Sequence, residues 1–246
     1  MNNVRTVSDT KRAFYTLHTR PIASIYRRVV EELMVEMHLL SVNADFGYDP
    51  IYALGVVTSF DRFMQGYQPE KDKGSIFNAL CKSLDYKPEK YRQDAEELLA
   101  LARGLGWEKL IGWLAKETVP DSAGRWQETI SQIASNPSFK YSRLFAIGLY
   151  VLLEGADPDL VKDEKQREQA LQKIAIALNL PEEKISKDLD LYRSNLDKIA
   201  QAQIVMKDMI EAERKKREKR AQEQQEKENP TEEAEVPSED ETDSDS

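Results

Sequence analysis

The chain has one cysteine, Cys81, and two histidines, His18 and His38, among 246 residues. A single thiol excludes an internal disulfide framework and any cysteine-based metal knuckle, and it fits a reducing compartment. The glycine-rich phosphate cradles GxGxxG and GxxxxGK[ST] are absent, as are a GxSxG elbow and an HExxH pair, so no nucleotide, hydrolase or zinc-protease chemistry is announced. Glu32, Glu36 and His38 lie close on one helix, but Glu36-x-His38 is not the Glu-x-x-His spacing of a di-iron bundle. No metal and no cofactor are expected. The longest apolar run, Leu144–Leu153, is about half of the ~20 residues that a membrane-spanning helix needs. It is interrupted by Gly148 and flanked by Arg143 and Glu154, so it reads as a buried core helix of a protein that does not cross a membrane. The start, MNNVRTVSD, has neither an apolar core nor an Arg/Ser-rich character, so neither secretion nor organelle import is expected.

What is present is charge and helical periodicity. Charged residues make up 32% of the chain and apolar ones 40%, enough for one sizeable core and a solvated extension. The net charge of −9 is localised: Glu232, Glu233, Glu235, Glu239, Asp240, Glu241, Asp243 and Asp245 account for −8, with no base after position 228. The body is nearly neutral and the tail is the acid.

Nothing reads as strand. Ser8 and Asp9 precede a first helix over Lys11–His18, where His18 would cap the last carbonyls. Pro21 suits the first turn of a second helix whose Ile22, Ile25, Val29, Leu33, Met37 and Leu40 form an apolar stripe. Asp49-Pro50 repeats the cap-then-proline signal before a helix that is apolar on more than one face, so that helix is central to the core. Within it, Asp61 and Arg62 call for ion-pair partners. Further helices are expected at about Pro69–Leu84, Pro88–Arg103, Trp107–Lys116, Ala123–Ala134, Tyr141–Leu153 and Asp163–Leu178, separated by glycine and proline breaks. The fold class is therefore all-α: a compact multi-helix bundle over residues 1–188.

From Pro181 the last helix can run to Glu228 without glycine or proline. Leu189, Tyr192, Leu196, Ile199, Met206 and Ile210 keep a 3-and-4 spacing, interrupted by Gln203. That stretch either packs on the body or forms a seam, including one with a second copy over 189–210. Residues 189–228 thus form a long projecting helix with coiled-coil character, and 229–246 a disordered acidic tail. The run RKKREKR supplies Arg214, Lys215, Lys216, Arg217, Lys219 and Arg220. It suits anionic lipid headgroups or an acidic protein partner; alternatively it is a solvated face balanced by Glu211, Glu213, Glu218 and Glu223. No aromatic side chain interleaves it, and the acidic tail would compete with phosphates, so a nucleic-acid partner is not expected.

The runs TVSDTKRAFY, HTRPI, SIYRRVVEELMVEMHLLS, DPIYALGVV, FDRFMQGY and SIFNALC, densest over residues 6–80, resemble the thylakoid formation protein family, the photosystem II biogenesis factors of oxygenic phototrophs. The resemblance implies an all-helical, non-enzymatic protein associated peripherally with thylakoids. It further implies a role in photosystem II biogenesis and repair and in thylakoid organisation, through support of the membrane-bound FtsH protease. Plant members carry a transit peptide that is absent here, which implies a cyanobacterial source and the cytoplasmic side of the thylakoid membrane, with a soluble pool. No catalytic residue carries over. On this reading Arg20, Arg27 and Arg28 are the partner-binding candidates, since arginine is enriched at interfaces. The alternative is that they pair internally with Glu31, Glu32 or Asp61. A rival reading is a membrane-surface protein that shapes or tethers thylakoids through Arg214–Arg220.

Overall fold

Thr6 opens the first helix of the computed structural model, which describes residues 5–228. In α1 (Val7–Leu17) the Thr6 hydroxyl accepts the Asp9 amide at 3.2 Å while the Asp9 carboxylate accepts the Thr6 amide at 3.0 Å. This reciprocal box satisfies two donors that the helix start leaves over. It moves the start ahead of the expected Lys11, with Thr6 as the cap in place of Ser8 or Asp9.

The second helix, α2 (Ser24–Ser41), begins after Pro21 and not at it. The link lies outside the helix, where Arg20 reaches Asp72 at 2.8 Å and Ile22 is buried. At α3 (Pro50–Phe63) the expected signal holds: Asp49 accepts the Tyr52 amide at 2.8 Å and Pro50 sits in the first turn. The remaining helices are α4 (Asp72–Lys82), α5 (Pro88–Leu105), α6 (Trp107–Leu114), α7 (Trp126–Ser135), α8 (Arg143–Ala156), α9 (Glu164–Ala177) and α10 (Glu182–Glu228). The helix expected from Ala123 starts at Trp126, because Asp121–Ala123 form a 3-10 turn and Gly124 turns the chain at a φ of 45°. Among the described residues there is no strand, and the all-α class stands.

The core is organised on α3 and α8. Ile51, Tyr52, Leu54, Val56 and Phe60 of α3 are at most 2% exposed, as are Leu144, Phe145, Ile147, Leu149 and Leu152 of α8. Each contributes roughly 1.5–3 kcal/mol by leaving water. The apolar run around Leu144–Leu153 is thus a core helix, and among the described residues no helix is long and apolar enough to cross a membrane.

Two glycines set how closely these helices approach. A β-carbon at Gly55 would lie 1.7 Å from the Leu144 carbonyl oxygen, and one at Gly148 would lie 1.9 Å from that of Ile51. Each glycine of the pair receives the other helix's backbone. Helix α5 packs on both members of the pair, α1 covers α2 and α4, and α6 joins α8 to α9. Asp61 and Arg62 pair with different neighbours: Arg92 donates to both oxygens of Asp61, and Arg62 donates to Glu154.

The histidines are structural. His38 Nδ1 lies 2.9 Å from the Thr10 hydroxyl in the α1–α2 contact. His18 does not cap carbonyls with its ring, which is buried with Nδ1 3.0 Å from the Ser75 hydroxyl. Burial holds both imidazoles below the usual histidine range.

The compact body extends through Ile199, and residues from Ala200 on form a second unit. Within the body, Ile185, Leu189 and Tyr192 of α10 are buried. In the second unit Ile204, Val205, Met209 and Ile210 are each more than half exposed, so the burial expected of a packed stretch up to Ile210 is not found. The acidic tail, with its expected disorder, lies outside the described residues.

Candidate partner surface and groove

Helix α2 places the candidate arginines. Its buried side carries Tyr26, Val30, Met34 and Met37, which turns Arg27 and Arg28 outward. Arg28 donates from Nε to Glu32 at 2.9 Å, one turn along, yet its side chain keeps 83% of its exposure. Such exposed pairs contribute only tenths of a kcal/mol and leave the guanidinium available. Arg27 is exposed beside Glu31, which accepts Lys11 Nζ at 2.7 Å and the Tyr15 hydroxyl at 2.6 Å. These two bonds, with the positive field of Lys11 and Arg27, hold the Glu31 carboxyl below its usual range.

Arg20 is not on this face. It binds Asp72, whose side chain is only 4% exposed, and so ties the α1–α2 link to the first turn of α4. The internal pairing weighed from the sequence therefore exists for Arg28 with Glu32. Asp61 is occupied by Arg92, and Arg20 uses a carboxylate that sequence proximity did not suggest.

In the second unit, Arg214 lies 3.4 Å from Glu218. Lys215, Lys216, Arg217 and Arg220 are exposed along the same helix. The alternating signs fit a solvated helix, and the excess of bases fits an anionic surface.

A groove of about 470 Å³ lies between α2, α3, α8 and the part of α10 that belongs to the body. Its apolar walls include Ile25, Val29, Phe63 and Ile147, and Arg28 and Lys198 stand at the exposed rim. Glu36, donated to by Arg143, closes one side. Burial and the nearby Asp188 push the Glu36 carboxyl above its usual range, with the Arg143 guanidinium opposing. Sequence reading missed this site, because Glu36 and Arg143 are 107 positions apart. The available signals were two positions on the α2 stripe, Ile25 and Val29, and a serine, Ser59, inside an apolar helix. Among the described residues no group of three or more His, Cys, Asp or Glu is placed to hold a metal.

These features define a class: an all-helical protein with a tightly crossed core, charged helix surfaces and an apolar groove. The chain belongs to the thylakoid formation protein family, whose model matches residues 6–221. It is 66% identical to Protein Thf1 of Nostoc punctiforme over 220 residues, covering 89% of this chain and 94% of the relative. It is 64% identical to Protein Thf1 of Trichormus variabilis over the same shares. The solved structure of Psb29 matches with a TM-score of 0.75 at 46% identity, covering 87% of this chain and 98% of that one. The role of the chain is accordingly in thylakoid formation, as the resemblance in its first 80 residues implied.

Proposed function

We propose that this protein is a non-enzymatic accessory factor in photosystem II biogenesis and repair and in thylakoid organisation, acting by binding the thylakoid FtsH protease complex and supporting its accumulation. Family membership over residues 6–221 carries the reading. The outward-facing Arg27 and Arg28 of α2 are the contact we assign, since a guanidinium forms directional bonds with carboxylates of a partner. Arg20, bound to the buried Asp72, shapes the link next to that face. The protein would work peripherally, on the cytoplasmic side of the membrane.

A second reading has its own observation. Lys215, Lys216, Arg217 and Arg220 are exposed on α10, the arrangement that anionic lipid attracts at about 1 kcal/mol per base. On this reading the protein shapes or tethers thylakoids directly.

Affinity capture of tagged full-length protein from gently solubilised cyanobacterial thylakoids tests both. Enrichment of FtsH at moderate salt, over an unrelated acidic helical protein, is expected. If FtsH stays at background while the protein binds anionic liposomes in a salt-sensitive way that removal of residues 211–228 abolishes, the membrane-surface reading replaces the protease reading.

A further inference from the structure

Between Glu211 and Arg220, α10 carries six bases against three acids, Glu211, Glu213 and Glu218. The bases crowd one another. Lys215 with Lys219 and Lys216 with Arg220 are one turn apart, a spacing at which like charges cost a helix roughly 0.2–0.5 kcal/mol per pair. Glu218 answers Arg214 at 3.4 Å, but both side chains stay at least 60% exposed. Lys215, Lys216, Arg217 and Arg220 are exposed as well. The run is thus an excess of positive charge on a solvated helix, a surface that calls for an anion.

The chain carries the matching anion a short way on. Glu239, Asp240, Glu241, Asp243 and Asp245 lie close together, and no base follows position 228. Asn229-Pro230, a turn signal, comes directly after Glu228, the last residue of α10. From Glu228 back to the run is 8–14 residues of helix, or about 12–21 Å. The five acids lie 11–17 residues past the same point, about 36–56 Å of fully extended chain. The acids can therefore return to the bases with slack.

We propose that the basic run of α10 is the docking surface for the chain's own acidic tail, with Glu239–Asp245 folded back alongside Arg214–Arg220. Tethering supplies the affinity. A short linker presents the tail at an effective concentration on the order of millimolar, so individually weak carboxylate–ammonium contacts suffice. The contact is electrostatic and exposed, so salt opens it as the screening length falls from about 10 Å at 0.1 M to about 3 Å at 1 M. This inference goes beyond both functional readings and bears on the second. Tail and anionic lipid compete for the same bases, so the tail sets the threshold that any anionic ligand of α10 must overcome.

The first test needs no lipid. Full-length protein is treated with a water-soluble carbodiimide, which joins a carboxylate to a contacting lysine amine, and the linked peptides are identified by mass spectrometry. Links from Glu239–Asp245 should concentrate on Lys215, Lys216 and Lys219, exceeding those to Lys207 and Lys227 at least about fivefold. In 1 M salt they should fall to the level of those two lysines, a condition set by about 3 Å screening. A mixture of isotopically light and heavy protein shows whether each link lies within one chain. In a second measurement, the amide resonances of residues 239–245 should shift when the full chain carries Lys215→Gln, Lys216→Gln and Arg217→Gln together. The proposal is overturned by links spread evenly over the lysines, or by tail resonances that ignore the triple variant. Links found only between light and heavy chains also overturn it, and assign the run to the tail of a second copy.

Phosphatidylglycerol vesicles separate this inference from the membrane-surface reading. Neutralising the five acids (Glu239→Gln, Asp240→Asn, Glu241→Gln, Asp243→Asn and Asp245→Asn) should tighten vesicle binding about fivefold to tenfold, the factor lost by a run covered about eight- to nine-tenths of the time. Equal, measurable binding by both proteins would overturn the masking. Binding by neither removes the membrane-surface reading, and the cross-links then decide the contact alone.

Discussion

Gly55→Ala is expected to cost about 3–5 kcal/mol of stability, at the upper end for a single added methyl group. The new β-carbon would lie 1.7 Å from the Leu144 carbonyl oxygen, and a backbone oxygen has no rotamer by which to withdraw. Helices α3 and α8 would have to separate, opening the contact on which Ile51, Phe60, Leu149 and Leu152 depend. Gly148→Ala should behave alike, since its β-carbon meets the Ile51 carbonyl at 1.9 Å. The same substitution at Gly74, which has nothing within 4 Å of its added β-carbon, should instead stabilise by about 0.5–1 kcal/mol through helix propensity. Urea denaturation of the three variants, with m-values compared, checks the pair of signs. A loss below about 1 kcal/mol at Gly55 would show that α3 and α8 do not approach as closely as described.

The second large effect is a pH dependence located at Asp49. Its carboxylate caps α3 while almost fully buried; burial pushes its pKa up to about 7, against the lowering effect of bonds from the Tyr52 and Ile51 amides. In the unfolded chain the same group titrates near 3.8. Between those values the folded chain holds a proton that the unfolded chain has released. Stability from this group is therefore fully present below about pH 4 and is lost as pH rises to about 7. Asp49→Asn keeps an equally good cap and cannot ionise. The stability of the variant relative to wild type should rise by roughly 2–4 kcal/mol between pH 4 and pH 8, levelling off above pH 7. Taking the difference between the two proteins cancels the opposite trend from His18 and His38, whose imidazoles burial holds below the usual histidine range. A flat difference across that range would mean that Asp49 is charged and solvated in the folded protein.

Much of this fold was legible because helices announce themselves locally. Asp49-Pro50 marks its own helix start, and the run from Leu144 to Leu153 is apolar on every face. The errors are where a local signal had competition. Ser8 and Asp9 looked like caps, but only Thr6 can pair with an acid three residues on, so Asp9 became the other half of the box. Pro21 could open a helix, but the pairing of Arg20 with Asp72 and the burial of Ile22 keep that link out of it. Gly148 was visible as an interruption of an apolar run. Its meaning required Gly55 on another helix 93 positions away, because a close crossing belongs to two helices jointly. The groove was hidden for the same reason. Ser59, Val29 and Ile147 come from three helices, and nothing in any one of them says which face its neighbours leave uncovered. The arginines of α2 were readable as outward-facing from the stripe opposite them, whereas the tie from Arg20 to α4 was not.

The central claim is that a charged face of α2 recognises the protease, and one measurement addresses it directly. Binding of the purified full-length protein to purified thylakoid FtsH complex would be measured at moderate salt for wild type and for the double variant Arg27→Glu, Arg28→Glu. Both side chains are exposed, and the one ion pair lost, Arg28 with Glu32, lies on the surface, so the melting transition should stay within a few degrees of wild type. We predict that affinity falls at least about tenfold, because two favourable charge contacts become repulsive. Unchanged affinity with an intact melting transition would contradict the account and move the contact away from α2.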